Sequence, residues 1–130
     1  MTFSVFGQNI PSYVPTNGLV GWWPFNGNAD DESGNGNNGT VNGATLTSDR
    51  FGGSNSAYSF DGIDNYIKLL FNPVSNPTDF TVSVWVKSNA SISTNPQCIF
   101  YDGGPSEYHL DIGANGTNGL LEAGIKGGSN

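Results

Sequence analysis

Residues 18–70 constrain the fold more than any other part of the chain. They open on an aromatic-rich run, GLVGWWPF, pass through a long Asn/Gly/Asp loop, and close on two short alternating segments around Phe60, Asp61 and Gly62. Leu19–Phe25 is apolar on both parities, which predicts a strand covered on both sides, with Pro24 at a sheet edge or strand end. Tyr58–Phe60 sets two aromatics inward around a polar residue. Asp61 and Gly62 then make a tight turn before the alternation of Tyr66–Leu69. Nowhere does the chain offer ten or more helix formers at 3.6 spacing. Its 19 glycines, with abundant Asn and Ser, punctuate short strands, and an all-β fold follows.

The remaining segments fit that pattern. Residues 8–17 carry two prolines without periodicity and predict an extended lead-in. A weak strand is expected over Gly39–Leu46. The clearest strand is Phe80–Lys87, with Phe80, Val82, Val84 and Val86 on a core face and Thr81, Ser83, Trp85 and Lys87 on the other. Cys98–Tyr101, Tyr108–Ile112 and Leu120–Lys126 complete about eight strands, the number and spacing of an antiparallel sandwich or jelly roll. The final residues, Gly127–Asn130, read as a turn with nothing after it, so the sandwich is expected to be incomplete. Met1–Gln8 lacks a basic start but resembles the tail of a signal peptide, so 1–17 reads as a signal-peptide remnant and lead-in, and 18–130 as the domain. Export to the outside or to the cell surface is the expectation, and no segment is long enough to insert in a membrane.

A net charge of −7, with four scattered basic residues, excludes a nucleic-acid surface, which needs clustered Lys and Arg. Acidic side chains grouped in Gly/Asn loops suit calcium, although they also simply keep a turn-rich chain in solution. Asp31, Ser33 and Asn35 place oxygen-bearing side chains at alternate positions ahead of Gly36, like the start of an EF-hand loop. Asn42 at the twelfth position and the lack of flanking helices exclude an EF-hand itself. A calcium-ordered loop and a loop satisfied by its own turns both remain open. Cys98 cannot form an internal disulfide and is expected as a small buried strand residue.

In order along the chain, GLVGWWPFNGNADDESGNGNNGTV, YSFDGIDNYIKL and DFTVSVWVK closely resemble the laminin G-like jelly-roll family of concanavalin A-like folds, over Gly18 to about Lys126. The resemblance implies a secreted or surface recognition domain, found also in multidomain bacterial proteins, whose last strands are missing here. A chain ending at this point would be marginally stable or would pair with another chain. Tyr58–Leu69 is also similar to the calcium segment of the pentraxins. That likeness implies Asp64 and Asn65 as metal ligands, without the later acidic cluster that completes the pentraxin site. As residues alone, the two are more simply a turn entering a strand.

Catalysis finds little support. Laminarinase-type glycoside hydrolases share the fold but need two carboxylates on one strand. Tyr108–Ala114 has one, Asp111, with His109 two positions before it and no nucleophile beside them. Trp85, on the polar face of its strand, is the candidate sugar platform, with Tyr66 a weaker one; a covered structural tryptophan is the commoner case. The expectation is a non-catalytic module that binds a glycan, with calcium ordering its loops and further domains attached. The alternative is an adhesion or spacer module that contacts extracellular protein.

Overall fold

The computed structural model describes residues 10–70, 79–87, 97–101, 108–112 and 121–125. The expectations for Met1–Gln8 and for the last turn, Gly127–Asn130, lie outside the described residues, as does the connection 71–78 with its two prolines, Pro73 and Pro77. Every described regular element is a strand, in antiparallel pairs. The chain divides into two compact units, Met1–Pro73 and Val74–Asn130.

The first unit is an interrupted hairpin. Strand β1 (Gly39–Asn42) pairs with β4 (Tyr66–Leu69), while β2 (Thr45–Thr47) pairs with β3 (Ala57–Ser59) inside it. The expected single strand over 39–46 is thus two strands, broken at Gly43. Gly43 has φ +75°, a conformation that favours glycine, and Asn65 Oδ1 lies where a Cβ at 43 would stand. Residues 60–65 bulge out opposite Gly43 and Ala44, so the outer ladder cannot continue the register of the inner one.

Alternation places side chains as expected in β4. Tyr66 and Lys68 are exposed, Ile67 and Leu69 half-buried, and Val41 sits across from Ile67. Phe60, expected inward, is exposed instead, because it belongs to the bulge and not to β3.

The small core forms where the Asn/Gly loop folds onto the β1–β4 pair. Ala29, 3% exposed, is the most deeply buried apolar side chain among the described residues. Gly39 N–H donates to Ala29 O at 2.8 Å. A Cβ on Gly39 would meet Ile67 Cγ2 at 2.7 Å and Ala29 Cβ at 3.2 Å, so this contact requires a residue without a side chain. The Phe25 and Tyr58 rings meet edge to face, centroids 5.3 Å apart, and tie the aromatic run to β3.

Two expectations at the start of this unit are corrected. The lead-in is turned, not extended: Val14 N–H donates to Pro11 O and Leu19 N–H to Thr16 O, with Gly18 at φ +78° in the third position of a type II turn. Leu19–Phe25 is in no ladder among the described residues. Pro24 has no N–H to give, Phe25 adopts φ +57°, and side chains of the following loop take the carbonyls of Leu19 and Val20.

In the second unit, β5 (Gln97–Tyr101), β6 (Tyr108–Ile112) and β7 (Leu121–Ile125) form a sheet in that order. A register shift between Cys98 and Phe100 marks a bulge in β5. Cys98 is exposed, contrary to the buried placement expected, and its thiol donates to Phe100 O at 3.4 Å across the bulge. Phe80–Lys87, the clearest strand by pattern, is in no ladder among the described residues. Phe80, Val82, Val84 and Val86 stand 38–47% exposed, so the expected core face is only partly covered.

Candidate functional site

Asp31 is the node of the loop that links the aromatic run to β1. Its Oδ1 accepts from Trp22 N–H and Ser33 N–H, both at 2.9 Å. Its Oδ2 accepts from the Ser33 hydroxyl at 2.8 Å and from Asn37 N–H at 2.9 Å. Its own N–H donates to Asn38 Oδ1 at 3.0 Å. The Asx geometry of Asp31 toward Ser33 arises because a short carboxylate reaches the backbone two residues on. The longer bonds to Trp22 and Asn37 then draw the two ends of the loop together.

Ser33 and Asn35 extend the node. Ser33 Oγ also accepts from Asn35 N–H at 3.2 Å and from Asn35 Nδ2 at 3.1 Å. Asn35 Nδ2 reaches Leu19 O at 2.8 Å, and Asn37 Nδ2 reaches Val20 O at 2.7 Å. Glu32 N–H donates to Trp22 O and Trp23 Nε1–H to Asn37 O, each at 2.8 Å, while Glu32 Oε1 accepts from Asn26.

The three side chains singled out by calcium-like spacing therefore do converge. They converge as partners of one another and of the backbone. A carboxylate offers about four lone-pair sites, and chain donors occupy four here. A cation at Asp31 would have to displace those donors. Burial of Asp31 acts to raise its pKa, but the hydrogen bonds from Trp22, Asn37 and Ser33 outweigh it, and the net shift is downward.

The second calcium candidate sits in the bulge. Asp61 Oδ1 accepts from Ile63 N–H at 2.9 Å and from Asp64 N–H at 3.4 Å, and the bond from Ile63 leads in holding the Asp61 carboxyl below its usual range. Asp64 is exposed in this turn. Asn65 lies with its amide oxygen against Gly43, which gives it a packing role. No group of three or more His, Cys, Asp or Glu side chains fit to hold a metal occurs among the described residues.

The aromatic candidates are both accessible. Tyr66 is 51% exposed on the outer face of β4, next to exposed Lys68 and across from Asn42. Trp85 is 79% exposed in the second unit, well above the apolar residues that alternate with it.

One juxtaposition was not legible in the chain order. The β5–β6–β7 register sets Asp111 opposite Glu122 on one side and opposite Cys98 on the other, while His109 stands opposite Tyr101 and Gly124. Glu122 follows Asp111 by a whole connection, so a search for two carboxylates along one strand passes over it. Strand pairing was the signal that would have found it.

No protein-family model, no curated protein and no solved structure matches the chain.

Proposed function

We propose that the chain is a non-catalytic recognition module that binds carbohydrate on exposed aromatic surface, built on a laminin G-like β-sandwich and working in secreted or surface-bound form. The observation that carries this reading is Trp85, 79% exposed among residues that are otherwise polar or partly covered. An indole presents a flat apolar face to the C–H face of a sugar ring. Thr81 and Ser83, exposed on the same parity, supply hydroxyls for the ring's own. Tyr66 with Lys68 repeats the combination of aromatic and polar side chains on β4.

In this reading calcium does not order the Asn26–Asn38 loop, because Asp31 draws its partners from the chain. The place left for a cation is the exposed Asp61–Asn65 turn, with Asp64 as its carboxylate. The test is a glycan array probed with the chain in calcium and in chelator. Binding by the wild type and loss of about tenfold or more in affinity on Trp85→Ala supports the proposal.

The self-sufficiency of the Asp31 node equally suits the second reading, an adhesion or spacer module that folds without metal and contacts proteins. That reading predicts an array with no bound glycan in either buffer. The Asp111–Glu122 register is the one observation favouring an enzyme, and turnover of a β-glucan by the purified chain, abolished by Glu122→Gln, would establish it.

A further inference from the structure

We infer that Asn17–Gly18 is a site of spontaneous covalent modification, at which the asparagine closes onto the next peptide nitrogen and ends chiefly as isoaspartate. The inference goes beyond carbohydrate recognition and does not depend on it. Five Asn-Gly pairs fall in 17–43, with their asparagines at 17, 26, 35, 38 and 42. The dipeptide is the same each time, so its reactivity is set by how the fold holds it.

The other four are held. Asn26 Nδ2 donates to Glu32 Oε1, and Gly27 N–H donates to Phe25 O at 2.9 Å. Asn35 Nδ2 is bonded to Leu19 O, Val20 O and Ser33 Oγ. Asn38 Oδ1 accepts from Asp31 N–H, and Gly39 N–H donates to Ala29 O. Asn42 lies in the β1–β4 ladder with its Nδ2 donating to Thr40 O at 3.2 Å, and Asn65 crowds Gly43. Ring closure at any of these waits on a local opening that breaks such contacts. Asn17 and Gly18 differ. Both are exposed, and neither the Asn17 amide nor Gly18 N–H makes a hydrogen bond among the described residues. The bond that closes their turn runs from Leu19 N–H to Thr16 O and leaves Gly18 N–H outside it. Nothing lies within 4 Å of where a Cβ on Gly18 would stand, so its nitrogen is unobstructed.

The chemistry needs only water. Gly18 N attacks Asn17 Cγ; the N–Cγ bond forms, the Cγ–Nδ2 bond breaks, and the side-chain nitrogen leaves as ammonia with the proton from Gly18 N. Water then opens the cyclic imide. Opening at Cγ gives an ordinary aspartate, whereas opening at the main-chain carbonyl leaves the chain running through Cβ and Cγ. The second product lengthens the main chain by one methylene inside the turn and adds a negative charge, so the Leu19-to-Thr16 bond is lost. The Asp31 node begins beyond this point, because Asn35 and Asn37 hold the carbonyls of Leu19 and Val20. Modification at 17 therefore releases the lead-in and spares the loop.

The test incubates the full chain in mildly alkaline buffer, with and without denaturing urea, and follows each Asn-Gly pair by mass-spectrometric peptide mapping. In the folded chain Asn17 is expected to convert at least about tenfold faster than Asn26, Asn35, Asn38 or Asn42, and in urea the five rates converge to within about threefold. Hydrogen exchange of the modified chain should show Leu19 N–H deprotected and Trp22 N–H still protected. Any of the four matching Asn17 in the folded chain overturns the inference. So does a folded chain inert at 17 while the urea sample reacts, a preference for 17 that persists in urea, or loss of protection at Trp22 along with Leu19.

Discussion

With both oxygens of Asp31 accepting from the chain, the negative charge is worth most to the folded state, and its folded pKa lies below the ordinary value of 3.8. The stabilisation is therefore complete above that value and is lost as pH falls through the lower, folded one. Thermal melting between pH 2 and 6 is expected to show a loss of stability at the acid end that Asp31→Asn lacks. The same substitution at neutral pH turns one acceptor into a donor facing Ser33 and Asn37, and should cost about 2 kcal/mol in urea denaturation. Gly39→Ala tests the other end of the node. Its new methyl must push against Ile67 and Ala29, with an expected loss of about 1–3 kcal/mol by the same assay. Spacing alone picked out Asp31, Ser33 and Asn35 as a set, and they do meet. Their role was not legible because an Asx turn and a cation loop start from the same short oxygen-bearing side chains. What separates them is where the donors sit, and those come from Trp22 and Asn37, remote in the chain order.

Among the elements, the alternation of Tyr66–Leu69 could be read directly, since one side of β4 faces the loop that carries Ala29 and the other faces water. Leu19–Phe25 could not. Its apolar parities suggest a strand, yet Pro24, the positive φ of Phe25 and the amide side chains of Asn35 and Asn37 replace a ladder with side-chain bonds. Hydrogen exchange should make this visible. The amides of Trp22, Glu32, Asn37 and Gly39, all bonded though outside or at the end of a ladder, are expected to exchange markedly more slowly than that of Ile63 in the exposed bulge. Equal rates would mean that the loop does not hold together as drawn. Phe80–Lys87 differs in another way: its expected core face, Phe80, Val82, Val84 and Val86, is 38–47% exposed, because alternation within a segment does not say what covers either face.

For the molecule as a whole, all-strand architecture follows from glycine-punctuated alternation, while the division into two units does not, since the Pro73/Pro77 stretch reads equally as a connection between strands of one domain. The proposed function rests on side chains left in water. If the loops organise themselves, adding a chelator should leave the melting temperature of the chain unchanged within about 1 °C, because no bound metal contributes to the folded state. The most direct measurement combines both halves of the account: a glycan array read with wild type and Trp85→Ala, each in calcium and in chelator. The account predicts glycan binding by the wild type in both buffers and its loss in the variant. Binding that survives Trp85→Ala, or no bound glycan in calcium, would contradict it.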